Sequence, residues 1–324
     1  SHVKKSLRNM IEAKIEKFLT APEDSINLGD ISNIKLDENN YIYWGQEPIG
    51  ILKKGSKIYL PIAESLNSEF VSSENKLLVS AKLQNWIDNQ ITLHLKPIKD
   101  KIDDEYNSNV RAIAFNCFEN LGTLKIDNFK SFINNINDEN KKQLSKLGIR
   151  IGAKYFFMPN LMKKKSLEIN SILWKVFNEF DSSASIPFPE NGRVSFITDT
   201  KMPSNYWQSI GCICINSFVF RVDVFEKIFY LARKKIKSGP FLESADLMNP
   251  IGCNSDQLSD ILSFCGYEPI NLLGDRKLYF FKQKTNIKKK VKSKKILKKS
   301  KSLKTKPFKK LDPNSPFAVL EKLL

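Results

Sequence analysis

Between Lys282 and Lys310 the chain carries fifteen lysines and no acidic residue. Such a segment cannot bury enough apolar surface to offset the entropy of ordering it, so folding is confined to the residues before it and a short piece after it. The same segment supplies fifteen of the formal net charge of +17, which leaves +2 for everything else. A solvated, disordered arm on a nearly neutral body is therefore expected. Its expected use is to hold a polyanion, because each phosphate neutralised by a lysine releases counterions and gives sequence-independent, salt-sensitive affinity. A membrane surface fits less well, since the arm has few aromatic anchors and no lipidation motif.

Inside the body, the longest nearly uncharged run is Leu147–Leu161, LGIRIGAKYFFMPNL, whose only charges are Arg150 and Lys154. Ile149, Ile151 and Tyr155–Met158 form a β-branched and aromatic run interrupted by Gly148 and Gly152, which predicts backbone approached closely by another element. Pro159 ends the run and Asn160 is placed to cap a helix over 163–180, with Leu167, Ile172, Leu173, Val176 and Phe177 at helical spacing. Lys163, Lys164 and Lys165 crowd the first turn of that helix, where the dipole disfavours cations, so they are either solvated or offset by an anion.

The 324 residues are 41% hydrophobic, enough for a globule of two or three modest domains. No apolar run approaches the roughly 20 residues of a bilayer-spanning helix and the first residues are polar, so neither a span nor a signal peptide is read and a cytoplasmic protein is expected. Cys117, Cys212, Cys214, Cys253 and Cys265 are odd in number and lack CxxC spacing, which predicts reduced, mostly buried thiols. The chain begins at Ser1 with a helical pattern already running, which leads us to expect a fragment, although removal of an initiator methionine also exposes a serine.

Taken in order, 3–19 reads as an amphipathic helix with Leu7, Met10, Ile11, Ile15, Phe18 and Leu19 on one face. Alternating apolar residues over 30–60 predict a small antiparallel β unit. Its Tyr41, Tyr43 and Trp44 are of the type that stacks on bases, although packing is the ordinary fate of such residues. A helix over 73–98 carries Leu77, Ala81, Leu83, Trp86, Ile87, Ile91 and Leu95, with Ser72 or Ser73 as its cap. His94 has no Cys or His at ligand spacing and reads as a packed or surface residue. A helix over 107–121 (Val110, Ile113, Ala114, Cys117, Phe118, Leu121) closes at Gly122; Arg111 beside it reads as a salt-bridge residue before a phosphate contact. Two short helices over 126–136 and 138–147 follow. Asp103, Asp104 and Glu105 form an acidic cluster read as solvated.

The Ser- and Pro-rich 181–189 reads as a linker. Beyond it, strands over 193–198, 210–215 and 218–221 and a helix over 222–236 with Val224, Ile228, Leu231 and Ala232 inside lead to a helix–turn–helix pattern at 246–265. A hairpin with Gly274-Asp275 at its turn would form a wing. Cys212, Cys214, Cys253 and Cys265 are four thiols that a zinc ion would accept, but not at knuckle spacing. After the arm, 312–320 reads as a short capped helix.

No G-x-x-x-x-G-K-[ST], G-x-G-x-x-G, H-E-x-x-H or G-x-S-x-G motif occurs, so the residues support no autonomous nucleotide-driven or hydrolytic chemistry. Seven pieces in joint order carry a resemblance: the hairpin Trp44–Leu52, Arg111–Phe115, LGIRIGAKYFFMPNLMK with Leu173-Trp174, Phe220–Asp223, Ile251–Cys253, Cys265–Tyr267 and Asp312–Phe317. Together they resemble the C-terminal region of alphaproteobacterial helicases similar to the mitochondrial degradosome RNA helicase, a superfamily-two, DExH-type enzyme. The resemblance runs from about Asp30 to Leu320. It implies an ATP-dependent RNA helicase whose ATP-binding domains would lie upstream; this chain has neither the phosphate loop nor the DExH box, so ATP and Mg belong only to that core and no cofactor is expected here.

The expected fold is α+β and mainly helical. It comprises an N-terminal helix with a small antiparallel β unit (1–62), a central helical domain (63–180), a winged-helix-like C-terminal module (190–281), a disordered Lys-rich arm (282–310) and a short helix (311–324). The expected function is an accessory region guiding single-stranded RNA by phosphate contacts from Arg150, Lys154, Lys163, Lys164 and Lys165, and from Lys288, Lys289, Lys290, Lys294, Lys295, Lys298 and Lys299 of the arm. Its partners would be RNA, the upstream helicase core and degradation-complex proteins, with no membrane. The alternatives are a protein-interaction scaffold tethered to nucleic acid by the arm and a metal-stabilised DNA-binding regulator.

Overall fold

In the computed structural model, residues 2–29, 40–66, 69–96, 106–129, 133, 136–180, 186–272 and 277–281 are described. The arm, the segment 311–324, the acidic cluster 103–105, the turn at 274–275, residues 30–39 of the expected β unit and residues 130–132, 134 and 135 of the helix expected over 126–136 lie outside them. The described fold is mixed α and β, with about half of its residues helical.

Helix α1 (His2–Thr20) leads into β1 (Ile26–Leu28), β2 (Tyr41–Trp44), β3 (Glu47–Lys57) and β4 (Leu60–Ser65), an antiparallel meander paired in sequence order. Alternation buries Ile42, Leu52 and Ala63 on one side. Helix α2 (Ser73–His94) is capped by the Ser72 side chain, which accepts from Asn75 N, and it covers β4. There Gln84 accepts from Ala63 N and Ser80 Oγ from Ser65 N, both at 2.9 Å, so side chains of the helix satisfy ladder donors that an open edge would leave free. Lys82 of α2 donates to the carbonyls of Phe18 (2.7 Å) and Leu19 (3.0 Å) at the end of α1 and to that of Ala21 just past it, where the dipole favours a cation.

The expected inner faces of these two helices need correction. Leu7 and Met10 are exposed, as are Leu77 (72%) and Ala81; the buried stripe of α2 is Val79, Leu83, Trp86, Ile87 and Ile91. Helical period alone leaves the stripe's phase open by one or two positions, and the neighbour that covers a stripe chooses it.

Helix α3 (Ser108–Glu119) buries every apolar position expected of it and turns at Gly122, whose φ of +97° favours glycine. After β5 (Thr123–Lys125) and α4 (Asp138–Lys146) come β6 (Arg150–Ile151) and β7 (Tyr155–Phe157), which form an antiparallel sheet in the order β5-β7-β6. Pro159–Leu161 is a 3-10 turn, and α5 (Lys164–Phe177) follows with Lys163 at its N-cap. Asn160 therefore does not cap α5: the turn set by Pro159 absorbs it three residues too early.

The segment expected as a linker is packed at its described end. Ile186 and Pro189 are buried, and the Tyr206 hydroxyl donates to the Pro187 carbonyl at 2.8 Å. Tyr206 belongs to α6 (Ser204–Ser209), which lies between β8 (Ser195–Ile197) and the strands β9 (Cys212–Ile215) and β10 (Phe218–Arg221); the sheet order is β8-β10-β9. Helix α7 (Val222–Lys235), β11 (Phe241–Leu242), α8 (Ala245–Met248), α9 (Ser255–Phe264), β12 (Tyr267–Asn271) and β13 (Lys277–Phe281) complete the described chain, with sheet order β11-β13-β12. A capping box, Asn254 with Gln257, starts α9. The buried stripe of α7 is Val222, Phe225, Ile228, Phe229 and Ala232, with Val224 and Leu231 only at its flank.

Buried residues fall into two clusters, one from Phe18 to Val219 and one built mainly from 213–279. Strand β7 divides them: Phe156 faces the first, Tyr155 and Phe157 the second. The pleat sends neighbouring side chains to opposite faces, so the uncharged central run serves two cores at once. Packing crosses the boundaries expected near 62 and 190, and Ser1–Lys282 is a single compact unit.

Candidate nucleic-acid interface

Gly152 begins the tight turn between β6 and β7, and Glu226 of α7 reaches into it. The carboxylate accepts from three successive backbone N–H groups: Ala153 to Oε2 (2.6 Å), and Lys154 and Tyr155 to Oε1 (both 2.8 Å). A Cβ on residue 152 would lie 2.4 Å from the Glu226 carboxyl carbon. The close approach expected of this glycine is thus made by a carboxylate, and it ties the central turn to α7. Glu226 is 8% exposed. Burial pushes its carboxyl above the usual range, while the three N–H donors and the Lys154 ammonium pull it back down.

The sign of that shift sets a pH dependence. The folded chain takes up this proton before the unfolded chain does as pH falls. Stability of wild type relative to Glu226→Gln is therefore expected to rise as pH falls through the raised value, and to level off below the ordinary carboxylate value of about 4.3. Denaturant melts of both proteins across that range measure it; a constant difference would show that Glu226 titrates alike in the folded and unfolded chains.

The clasp fixes the turn and with it Lys154, whose ammonium sits over the Phe229 ring at 5.8 Å; Arg233, one helical turn on, lies 6.0 Å from the same ring. Arg150 is exposed on β6 and paired in register with Phe157, a member of the same cluster as Phe229. Of the expected phosphate contacts, Arg150 and Lys154 therefore share the second cluster's side of the fold. Lys164 and Lys165 occupy a different neighbourhood: both approach Glu168, at 3.9 and 3.2 Å, so the crowded first turn of α5 carries its own anion. Burial and then Lys165 hold the half-buried His94 below its ordinary pKa, against Glu168. The seven arm lysines from Lys288 to Lys299 lie outside the described residues.

Three exposed cations of α7, Lys227, Arg233 and Lys234, were missed from the sequence, and the signal was Glu226 itself, an acid in the i+4 slot from Val222 on the apolar stripe. The aromatic face of the β unit is packed instead: Trp44 meets Phe18 edge-on at 5.6 Å and donates to Ser25 Oγ. Tyr41 and Tyr43 meet each other edge-on at 6.4 Å.

The cysteines are unpaired thiols. Cys212 and Cys214 pack with the first cluster, Cys253 and Cys265 with the second. Burial pushes Cys117 and Cys212 up to about 12 and Cys253 to about 11, far from thiolate chemistry. Among the described residues no three His, Cys, Asp or Glu side chains converge as metal ligands, and no helix is long and apolar enough to cross a membrane.

Compared with protein-family models, with curated proteins and with solved structures, the chain matches none.

Proposed function

We propose that this chain is an accessory region that binds single-stranded RNA through phosphate contacts, of the kind appended to the ATPase core of a superfamily-two RNA helicase. One observation carries the reading: fifteen lysines without an acid follow directly on a body of nearly zero net charge. The order α7-β11-α8-α9-β12-β13, with its sheet paired β11-β13-β12, supports a winged-helix module at 222–281, a fold common in nucleic-acid binding. Helix α9 holds the position that reads a groove in such modules, but its only charged residues are Asp256 and Asp260. Phosphate contacts are therefore assigned to Arg150, Lys154 and the arm. Without a phosphate loop or DExH box, no ATP hydrolysis is expected of this chain.

The test uses the full chain with Lys288, Lys289, Lys290, Lys294, Lys295, Lys298 and Lys299 changed to Gln. Titration with single-stranded RNA at several salt concentrations is expected to show the slope of log K against log salt reduced by up to about 5, from about 0.7 per neutralised phosphate. Salt-independent binding, or equal slopes for the two proteins, would overturn the reading.

A scaffold role is the second reading. The outward face of the β11-β13-β12 sheet carries Leu242 and Ile270, 41% and 47% exposed, in register with Leu278. Together with the acidic α9, this surface suits a protein partner. A stoichiometric partner retained after nuclease treatment, with a body indifferent to RNA, would favour it.

A further inference from the structure

The solvent face of α7 has no part in the buried stripe that holds the helix in place. That stripe is complete with Val222, Phe225, Ile228, Phe229 and Ala232, and Glu226 is spent on the turn at 152–155. What remains outward is Lys227, Tyr230, Arg233 and Lys234, followed by Lys237 in the next turn, all exposed. Among the described residues none of these four cations is in an ion pair, whereas the neighbouring Lys235 pairs with Asp246 at 3.1 Å and Arg221 with Asp223 at 2.6 Å. Tyr230 is 67% exposed.

Cations in the last turn of a helix are explained in part by its dipole. That account does not reach Lys227, in the middle of the helix, or Lys154, which belongs to another element and is brought over Phe229 by the Glu226 clasp. Nor does it explain an aromatic ring set among the cations. A row of positive charge with a free π-face is what a single strand requires, phosphates on one side and an unstacked base on the other. A duplex offers no free base face, and an acidic peptide would leave the ring unused.

We infer that the outer face of α7, with Lys154 beside it, is a track for a single-stranded nucleic acid. Lys227, Arg233, Lys234 and Lys237 take phosphates and Tyr230 stacks on a base. The row from Lys227 to Lys237 spans about 15 Å at about 1.5 Å per residue, enough to follow more than one phosphate. This inference rests on the nucleic-acid-binding reading above and adds to it the surface of the folded body that does the binding.

The experiment uses the full chain with all fifteen lysines of 282–310 changed to Gln, so that the arm does not mask the body, with a U-rich single-stranded RNA, the matching DNA and polyglutamate as probes. The triple change Arg233→Gln, Lys234→Gln, Lys237→Gln is expected to lower the salt slope by about 2 and the affinity about tenfold. Tyr230→Ala is expected to lower affinity about tenfold and leave the slope unchanged. A 5-iodouridine in the RNA should crosslink to the peptide that contains Tyr230. These side chains are exposed, so unchanged thermal melts are expected and check the fold. If the triple and Tyr230 variants bind like their parent and the crosslink falls elsewhere, the track is overturned while the arm's effect on slope keeps the wider reading alive. If polyglutamate binds as tightly as RNA and Tyr230→Ala changes nothing, the face takes acidic peptide and the inference is overturned. If the unsubstituted chain binds no nucleic acid, both fall.

Discussion

Glu226→Ala is expected to lower the free energy of unfolding by about 4 kcal/mol, from three backbone donors losing their acceptor at about 1–3 kcal/mol each when buried. The effect falls short of the full sum because Ala153 N and Lys154 N are only part-buried and regain water, while Tyr155 N is buried and does not. The loss is also structural. The clasp is a link between β7 and α7, and Tyr155 packs edge-on to Phe225 at 5.9 Å behind it. Gly152→Ala attacks the same link from the other side, since the added carbon would meet the carboxyl group at 2.4 Å. The two substitutions together should cost much less than the sum of their separate costs, because once the carboxylate is gone a Cβ at 152 meets no obstacle there. Chemical denaturation of the two single variants and the double variant tests this; strict additivity would mean that the contact does not hold the turn.

Gly55→Ala is expected to cost at least about 3 kcal/mol, at the upper end of overpacking effects. Gly55 lies in the irregular stretch of β3 between Lys53 and Lys57, where the pairing with β4 shifts register. A Cβ there would sit 1.7 Å from the Leu60 carbonyl oxygen, and backbone cannot move aside as a long side chain can. The alternative is to open the hairpin. That would disturb Ala63 and Leu52 opposite each other and the cover that α2 gives β4. Amide exchange should show β3 and β4 losing protection together. Uniform protection and an unchanged melting temperature would count against the close approach.

Much of the architecture was legible because it is local. Helix α3 was readable to within two residues of its ends, 107–121 expected against Ser108–Glu119 observed, because an unbroken stripe from Val110 to Phe118 and a glycine at the turn are decided by neighbours in sequence. The start of α9 at Ser255 and the antiparallel pairing of the β unit belong to the same class. The charge of the arm was equally plain, since it depends only on composition. For the candidate site, the sequence pointed to Arg150 and Lys154 through their isolation in an apolar run, and to Gly152 through its interruption of that run.

Other features depended on residues far apart in the chain. Glu226 lies more than seventy positions beyond the turn it holds, and nothing within either segment names the other. The phases of α2 and α7 were set by what came to lie against them, so Leu77 faced water and Val224 moved to the flank. Lys164 and Lys165 looked available until Glu168 stood beside them, while Arg233 and Lys234 became visible as surface only once the rest of α7 was buried. The sequence by itself determined which segments could be helix, strand or solvated arm, because propensity, capping and net charge act over a few residues. The tertiary structure alone decided which cations share a face and which carboxylate is buried, because those depend on contacts that only chain folding brings within reach.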